Sequence, residues 1–335
     1  MHTTLELCRK QIETRIDPRF IAFNVNVALS RKTIALSGLV HNIQVLTAFK
    51  AELQKAFPGR TIMQDSMVVL QRDFAPAFAQ IAVPIAPMHR SPDSSSEQVS
   101  QEILGRMVRT YHSQGDWVFA QLSDGYLGWL RRDALIPKSP RQYCRWATGR
   151  KAALTRQVRH NDTMLPLGTE LPLNSDGLAI LPDGSPIRLP RTSYTLSWPA
   201  RNPIRRRLLR CAKSLQRVKY LWGGKSHHGL DCSGFTQLNY ELHGILIPRD
   251  ASQQVSVGRL VGHLPDFSDI LPGDLLFFMD EKAKVYHVGI SLGRSRFIHA
   301  SFVKQGVIID DLKSRDPERQ NKYYSKFLFA KSILM

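Results

Sequence analysis

A cysteine set between a glycine-rich turn and a helical pattern restricts this chain more than any other feature. Tyr220-Leu221-Trp222-Gly223-Gly224 leads, through Gly229-Leu230, into Asp231-Cys232-Ser233-Gly234-Phe235. The glycines permit a tight turn, and Phe235, Leu238, Tyr240, Glu241 and Leu242 read as a helix opening at the thiol. Cys232 is therefore expected to cap that helix. Unpaired N–H groups and the positive end of the helix dipole favour thiolate there, and bring a thiol from about 8.5 into the range of roughly 3.5 to 7.5.

Two apolar segments near the C-terminus supply partners. His287-Val288-Gly289-Ile290-Ser291-Leu292 and Arg296-Phe297-Ile298-His299-Ala300-Ser301 alternate with period two, and Gly293-Arg294-Ser295 reads as the turn of a hairpin. With Gly293 as pivot, His287 and His299 face each other on one side, whereas a slip of one residue separates them. His287 then suits the base that takes the thiol proton, and His299 the group that orients it. Zinc held by Cys232, His287 and His299 is the competing reading. It lacks a further Cys-x-x-Cys or His-x-x-x-His pair to complete a site, so no metal is expected. Cys8, Cys144 and Cys211 read as small core hydrophobes.

From about Arg205 to Met335 the chain resembles the NlpC-type family of bacterial cell-wall cysteine peptidases, which have a papain-like fold. The markers, in order, are Tyr220 to Gly224, Asp231-Cys232-Ser233-Gly234, Ile247-Pro248-Arg249-Asp250, Leu271-Pro272-Gly273-Asp274-Leu275, His287-Val288-Gly289 and Phe297-Ile298-His299-Ala300. The resemblance implies a catalytic Cys232, a base His287 and an orienting His299 acting on peptidoglycan-derived peptides, without a cofactor.

The chain has 335 residues, 43% hydrophobic and 22% charged, which allows two or three cores. Four irregularly spaced cysteines make no disulfide framework, so a reducing compartment is tolerable. No apolar run approaches the ~20 residues of a membrane helix. Met1-His2-Thr3-Thr4-Leu5-Glu6 lacks the basic start of a secretory signal. The reading is a cytoplasmic protein, the alternative an exported one whose signal is absent from this sequence. A formal charge of +18 raises nucleic acid as a partner, but no recognition motif accompanies it. The local cluster at Arg201, Arg205, Arg206, Arg207, Arg210, Lys213, Arg217 and Lys219 reads as a solvated helix face, with attraction to anionic wall polymer as the functional alternative.

Upstream, short strands at Ile81 to Met88, Trp117 to Leu122 and Asp124 to Leu130, with a Ser/Asp-rich loop at Ser91 to Ser96, resemble a bacterial SH3 domain. A block from about Tyr143 to Pro199, closing with Tyr194-Thr195-Leu196-Ser197-Trp198, reads as a second such barrel. Residues 1 to 72 run helix, two strands, helix, strand, and vaguely resemble a BON-type domain with a structural or docking role. The expected organisation is α+β: an N-terminal α/β domain (1–72), SH3-like barrels (73–138 and 139–199) and a papain-like catalytic domain (200–335).

Two barrels ahead of the peptidase resemble the subgroup that cleaves between γ-D-glutamate and the following L-diamino acid, in peptides with a free N-terminal L-alanine. Carried over, Tyr126 and Glu97 (chosen over Glu102) come from the first barrel and join Asp231 around the ammonium, while Tyr220, Trp222 and Ser233 line the cleft. The subgroup often has serine directly after Arg-Asp, to bind the glutamyl carboxylate. Here Ala251 stands there and Ser252 follows, either capping the next helix or replacing the missing hydroxyl. The expected reaction is acyl transfer to water through a Cys232 thioester, the oxyanion held by the Cys232 backbone N–H and a second donor, with Tyr220 the candidate. An amidase or acyltransferase on the same scaffold, and a non-catalytic wall-binding protein, are the rival readings.

Overall fold

The computed structural model describes residues 2–74, 77–196, 204–264, 266–314 and 323–334. Ser197, Trp198 and Arg201 of the sequence reading lie outside them.

Helices His2–Glu13 and Ile43–Ala56 cover a sheet of Phe23–Leu29, Thr33–Val40 and Thr61–Val69. The central strand pairs antiparallel with the first and parallel with the third, because the second helix carries the chain back across the sheet. Cys8, Ile12, Leu46, Phe49 and Leu53 bury one face of each helix against Val25, Ile34 and Val69. Asn42 starts the second helix, its side chain accepting the Val45 N–H at 3.0 Å.

Strands between Ala77 and Lys138 close round a core of Ile81, Met88, Val108, Ala120, Tyr126 and Leu130. Residues 151–196 form a smaller β unit about Ala152, Leu154, Leu165, Leu171 and Ile187. Between them stands a helix, Pro140–Thr148, where the sequence showed strand-and-turn texture. Its determinants are local: Ser139 accepts the Gln142 N–H, Gln142 answers to the Ser139 N–H, and proline sits in the first turn. Tyr143 stacks on Phe78 with ring centroids 4.0 Å apart. Cys144, expected in a core, is exposed on this helix, and Cys211 is only half-buried.

In the C-terminal domain, helix Cys232–Glu241 packs on an antiparallel sheet ordered Arg259–Gly262, Phe327–Ser332, Leu275–Met279, Val285–Gly293, Arg296–Ser301, Gly306–Asp311. Period-two alternation divides the sheet between two cores. Leu275, Phe277, Val288 and Ile290 join the helix, while Leu276, Phe278 and Phe297 join Phe267 and Ile270.

All ten residues of that helix are buried, including Thr236, Gln237, Asn239 and Glu241, because the other domains cover its second face. Arg106 of the first barrel lies 3.1 Å from Glu241 and 3.4 Å from Glu170 of the second β unit. Lys225 lies between Glu241 (3.3 Å) and Glu102 (3.8 Å). This buried cluster ties three domains together.

Candidate active site

Asp231, not Cys232, caps the helix. Its Oδ1 accepts the Gly234 N–H at 2.6 Å and its Oδ2 the Gly223 N–H at 2.9 Å, leaving Cys232 as the first helical residue. Gly234 is required there: a Cβ would stand 2.1 Å from the Gly224 carbonyl oxygen. Arg249, with no exposure to solvent, donates to both Asp231 oxygens (3.0 and 2.6 Å), to Ser233 Oγ (3.0 Å) and to Ser100 Oγ of the barrel (3.1 Å).

Asp231 therefore builds the turn that carries Cys232, both its oxygens accepting from Arg249 and from backbone N–H groups, and it also lines the cleft. Ser233 is likewise held between Asp231 and Arg249.

The thiol also differs from expectation. Burial, and next the Asp231 carboxylate, push the Cys232 pKa up to about 12, against the pull of the Val288 and Ser233 N–H groups and Arg249. The helix N-terminus loses this contest because the site is desolvated and Asp231 already satisfies its positive end. His287 is held well below 6.5, first by burial and then by His299. Both shifts favour the uncharged thiol and the uncharged imidazole.

The hairpin places the two histidines on one face by a shifted register. Ile290 pairs with Ile298 and Ser291 with Phe297, which sets His299 beside Gly289 and diagonal to His287. The shift arises at a bulge between Ser291 and Gly293, with Gly293 at φ +104° and Arg294 at φ +55° forming the turn. Two residues of slip preserve the face, where one would not. A Cβ on Gly289 would lie 2.8 Å from the Phe297 ring and 3.1 Å from His299 Cβ, so glycine there lets His299 lean toward His287.

His287 Nε2 and His299 Nδ1 are 2.8 Å apart, and His299 Nε2 lies 3.1 Å from Asp310 Oδ2. The carboxylate fixes every tautomer in this line. Asp310 accepts from His299 Nε2–H, so His299 Nδ1 accepts from His287 Nε2–H, and His287 Nδ1 is left unprotonated for the thiol. Asp310 raises the His299 pKa, against the larger effect of burial, which keeps it below 6.5. Tyr323 stacks on His287 (5.3 Å, 28°) and stands edge-on to His299 (5.0 Å). Sequence reading missed Asp310 and Tyr323. Asp310 could have been found from the next strand, whose Ile308 pairs with His299 and places Asp310 two residues along the same face.

A cleft of about 860 Å³ opens over Cys232 and His287. Its walls include Tyr220, Trp222, Glu97, Tyr126, Asp250 and Ser252. Glu97 Oε1 accepts from Trp222 Nε1 at 2.8 Å, and Oε2 from Arg90 Nε at 2.7 Å. Arg90 lowers the Glu97 pKa most, against partial burial, with Trp222 adding to it. Glu102 is buried away from the cleft beside Lys225. Tyr126, buried, donates to Asp250 Oδ2 at 3.2 Å. Burial raises the Tyr220 pKa, with Cys232 adding to it, so its hydroxyl stays a donor beside the nucleophile. Ser252 does not cap the following helix, Ala251–Gln254: Asp250 does, with Gln253 Oε1 returning to its N–H at 3.2 Å. Ser252 Oγ instead accepts from Arg19 Nη1 at 2.8 Å.

The match to family models lies on these residues. The NlpC/P60 family model covers residues 217–326, and the model of the bacterial dipeptidyl-peptidase Sh3 domain covers residues 88–135. Residues 217–326 carry an NlpC/P60 domain. The chain is a hydrolase of the cysteine peptidase class, of mixed α and β architecture, with an SH3-like domain ahead of the papain-like one. A γ-D-glutamyl-L-lysine dipeptidyl-peptidase of Bacillus cereus is 28% identical over 241 residues, 64% of this chain and 71% of the relative. One from Bacillus subtilis is 28% identical over 215 residues, 60% of this chain and 71% of the relative. An NlpC/P60 family protein from Bacillus cereus shares the fold at TM-score 0.67 and 24% identity, over 77% of this chain and 100% of that one. An NlpC/P60 endopeptidase from Photobacterium damselae subsp. piscicida does so at TM-score 0.56 and 14% identity, over 97% of this chain and 81% of that one.

The tautomer argument carries a prediction. Asp310→Ala removes the acceptor that orders the line, so kcat should fall roughly 10- to 100-fold with KM little changed. Single-turnover kinetics would read this, and an unaltered kcat would remove Asp310 from the relay.

Proposed function

We propose that this NlpC/P60 peptidase cleaves the bond between γ-D-glutamate and an L-diamino acid in peptidoglycan-derived peptides with a free N-terminal L-alanine. The observation that carries the reading is that the first barrel supplies a wall of the nucleophile's cleft: Glu97 bonds Trp222, and Tyr126 bonds Asp250, across the domain boundary. A wall there limits how much substrate can extend past the cut. The two γ-D-glutamyl-L-lysine dipeptidyl-peptidases described above support the same reading.

As Cys232 Sγ bonds the γ-carbonyl carbon, its proton passes to His287 Nδ1, and the carbonyl electron pair becomes the oxyanion, met by the Cys232 N–H and the Tyr220 hydroxyl. Collapse breaks the C–N bond, and His287 returns its proton to the departing α-amine. Water then attacks the thioester, giving its proton to His287, which protonates the released sulfur. His299 and Asp310 stabilise the imidazolium formed in each half-reaction. The α-ammonium of alanine would sit among Glu97, Tyr126 and Asp250, the acidic end of the cleft. A released peptide as substrate implies recycling, which we place in the cytoplasm.

N-acetylation would remove that cation. The free peptide L-Ala-γ-D-Glu-diaminopimelate should be cut roughly 30-fold faster, or more, than its acetylated form or intact murein, measured as kcat/KM with products identified by mass spectrometry. Comparable rates on all three would show that the barrel does not confine the substrate.

A further inference from the structure

The N-terminal domain reaches the same cleft. The turn after its first helix is held internally, with the Phe20 and Ile21 N–H groups donating to the Asp17 carbonyl and the Arg19 N–H to Asp17 Oδ1. Arg19 then bridges two domains. Its Nε and Nη2 grip the Asp17 carboxylate at 2.7 and 2.6 Å, while Nη1 donates to Asp250 Oδ2 and to Ser252 Oγ, both at 2.8 Å. Gln253 Nε2 returns a hydrogen bond to Asp17 Oδ2 at 2.8 Å, and the Leu127 N–H donates to the Arg19 carbonyl at 2.7 Å. Phe20 meets Tyr126 edge-on with centroids 6.3 Å apart. Behind this turn Ala22, Leu70, Tyr111 and Leu127 bury the domain against the first barrel.

Asp250, Ser252 and Tyr126 line the cleft, and Arg19 and Phe20 stand behind them. We infer that Arg19 is a positioning residue for substrate selection: the N-terminal domain completes the wall that receives the substrate's free amine, by fixing Asp250 and Ser252 against Tyr126. This rests on the substrate reading above. An Asp250 carboxylate held on one side by a guanidinium and on another by a phenol has a set rotamer, and meets an incoming ammonium without first being ordered. Ser252, unable to act as a cap, is held at the same point, where the preceding alanine offers no hydroxyl. On this inference residues 1–72, for which the sequence suggested a structural or docking role, also take part in specificity.

Arg19→Met in the full chain should raise KM for L-Ala-γ-D-Glu-diaminopimelate roughly tenfold while kcat changes less than about threefold, and should narrow the preference over the N-acetylated peptide. Arg19→Lys, which keeps charge but not the fork, should restore part of the difference. Amide exchange in residues 250–256 should quicken in Arg19→Met and not in the body of helix Cys232–Glu241. Unchanged KM and preference, or equal losses on both peptides, would overturn the inference. A wild-type enzyme that cuts neither peptide would instead sink the substrate reading, and the exchange measurement would still decide whether Arg19 orders the wall.

Discussion

Cys232→Ala should lower hydrolysis by more than about 10⁴-fold while the protein stays folded and still binds its peptide. In the proposed reaction the sulfur is the atom that bonds the acyl carbon. Structurally its removal costs little: Cys232 stands at the first position of its helix, whose cap comes from Asp231 and whose core comes from Phe235, Leu238 and Tyr240. Retained turnover in the alanine variant would remove Cys232 as nucleophile. General alkylation is a poor substitute test, because Cys144 is exposed while Cys232 is buried and rests as a thiol. The same neutral pair shapes the pH profile. With His287 well below 6.5, the acid limb of kcat/KM should lie below the ordinary imidazole range. His287 and His299 are both less basic folded than unfolded. The unfolded chain therefore takes up their protons first, and native stability is lost as the pH falls below about 6.5.

Arg249→Met should be the most damaging single change to stability, by roughly 3 to 5 kcal/mol. The guanidinium is fully buried, and its charge persists because Asp231 and then Asp250 outweigh a large burial penalty. Without it, the Asp231 carboxylate stays in a desolvated site with backbone N–H donors and Ser233 but no counter-charge. The barrel also loses its bond through Ser100. Adding Asp231→Asn should recover part of the loss, since a neutral amide needs no counter-ion. Thermal unfolding and urea titration of the single and double variants would measure this. A melting temperature of Arg249→Met within a degree of wild type would show that the ion pair does not organise the nucleophile's turn.

What was legible in sequence is what short-range patterns encode. The glycine turn before Cys232 and the two alternating segments carrying His287 and His299 are local, and they identified the nucleophile's helix and the shared histidine face. The hairpin's pivot was not legible. The turn and the one-residue bulge between Ser291 and Gly293 together leave the register two residues from a Gly293 pivot, and only an even slip kept both imidazoles together. Strand texture in the second β unit hid helix Pro140–Thr148, which has no fully buried residue and only Tyr143 and Trp146 half-buried.

The sequence by itself determined the family of the C-terminal domain and the candidates for its reacting groups, since these depend on residue type at fixed spacing. Tertiary structure decided which charge meets which. Asp231 caps the helix and gives both its oxygens to Arg249, 18 residues on. Asp310 meets His299 from a neighbouring strand, and Arg19 reaches Asp250 across 231 residues of chain. The thiol's acidity was decided the same way. A helix N-terminus alone favours thiolate, but the depth of burial that the packed domains create reverses the balance, because desolvation is a property of the whole assembly and not of any motif.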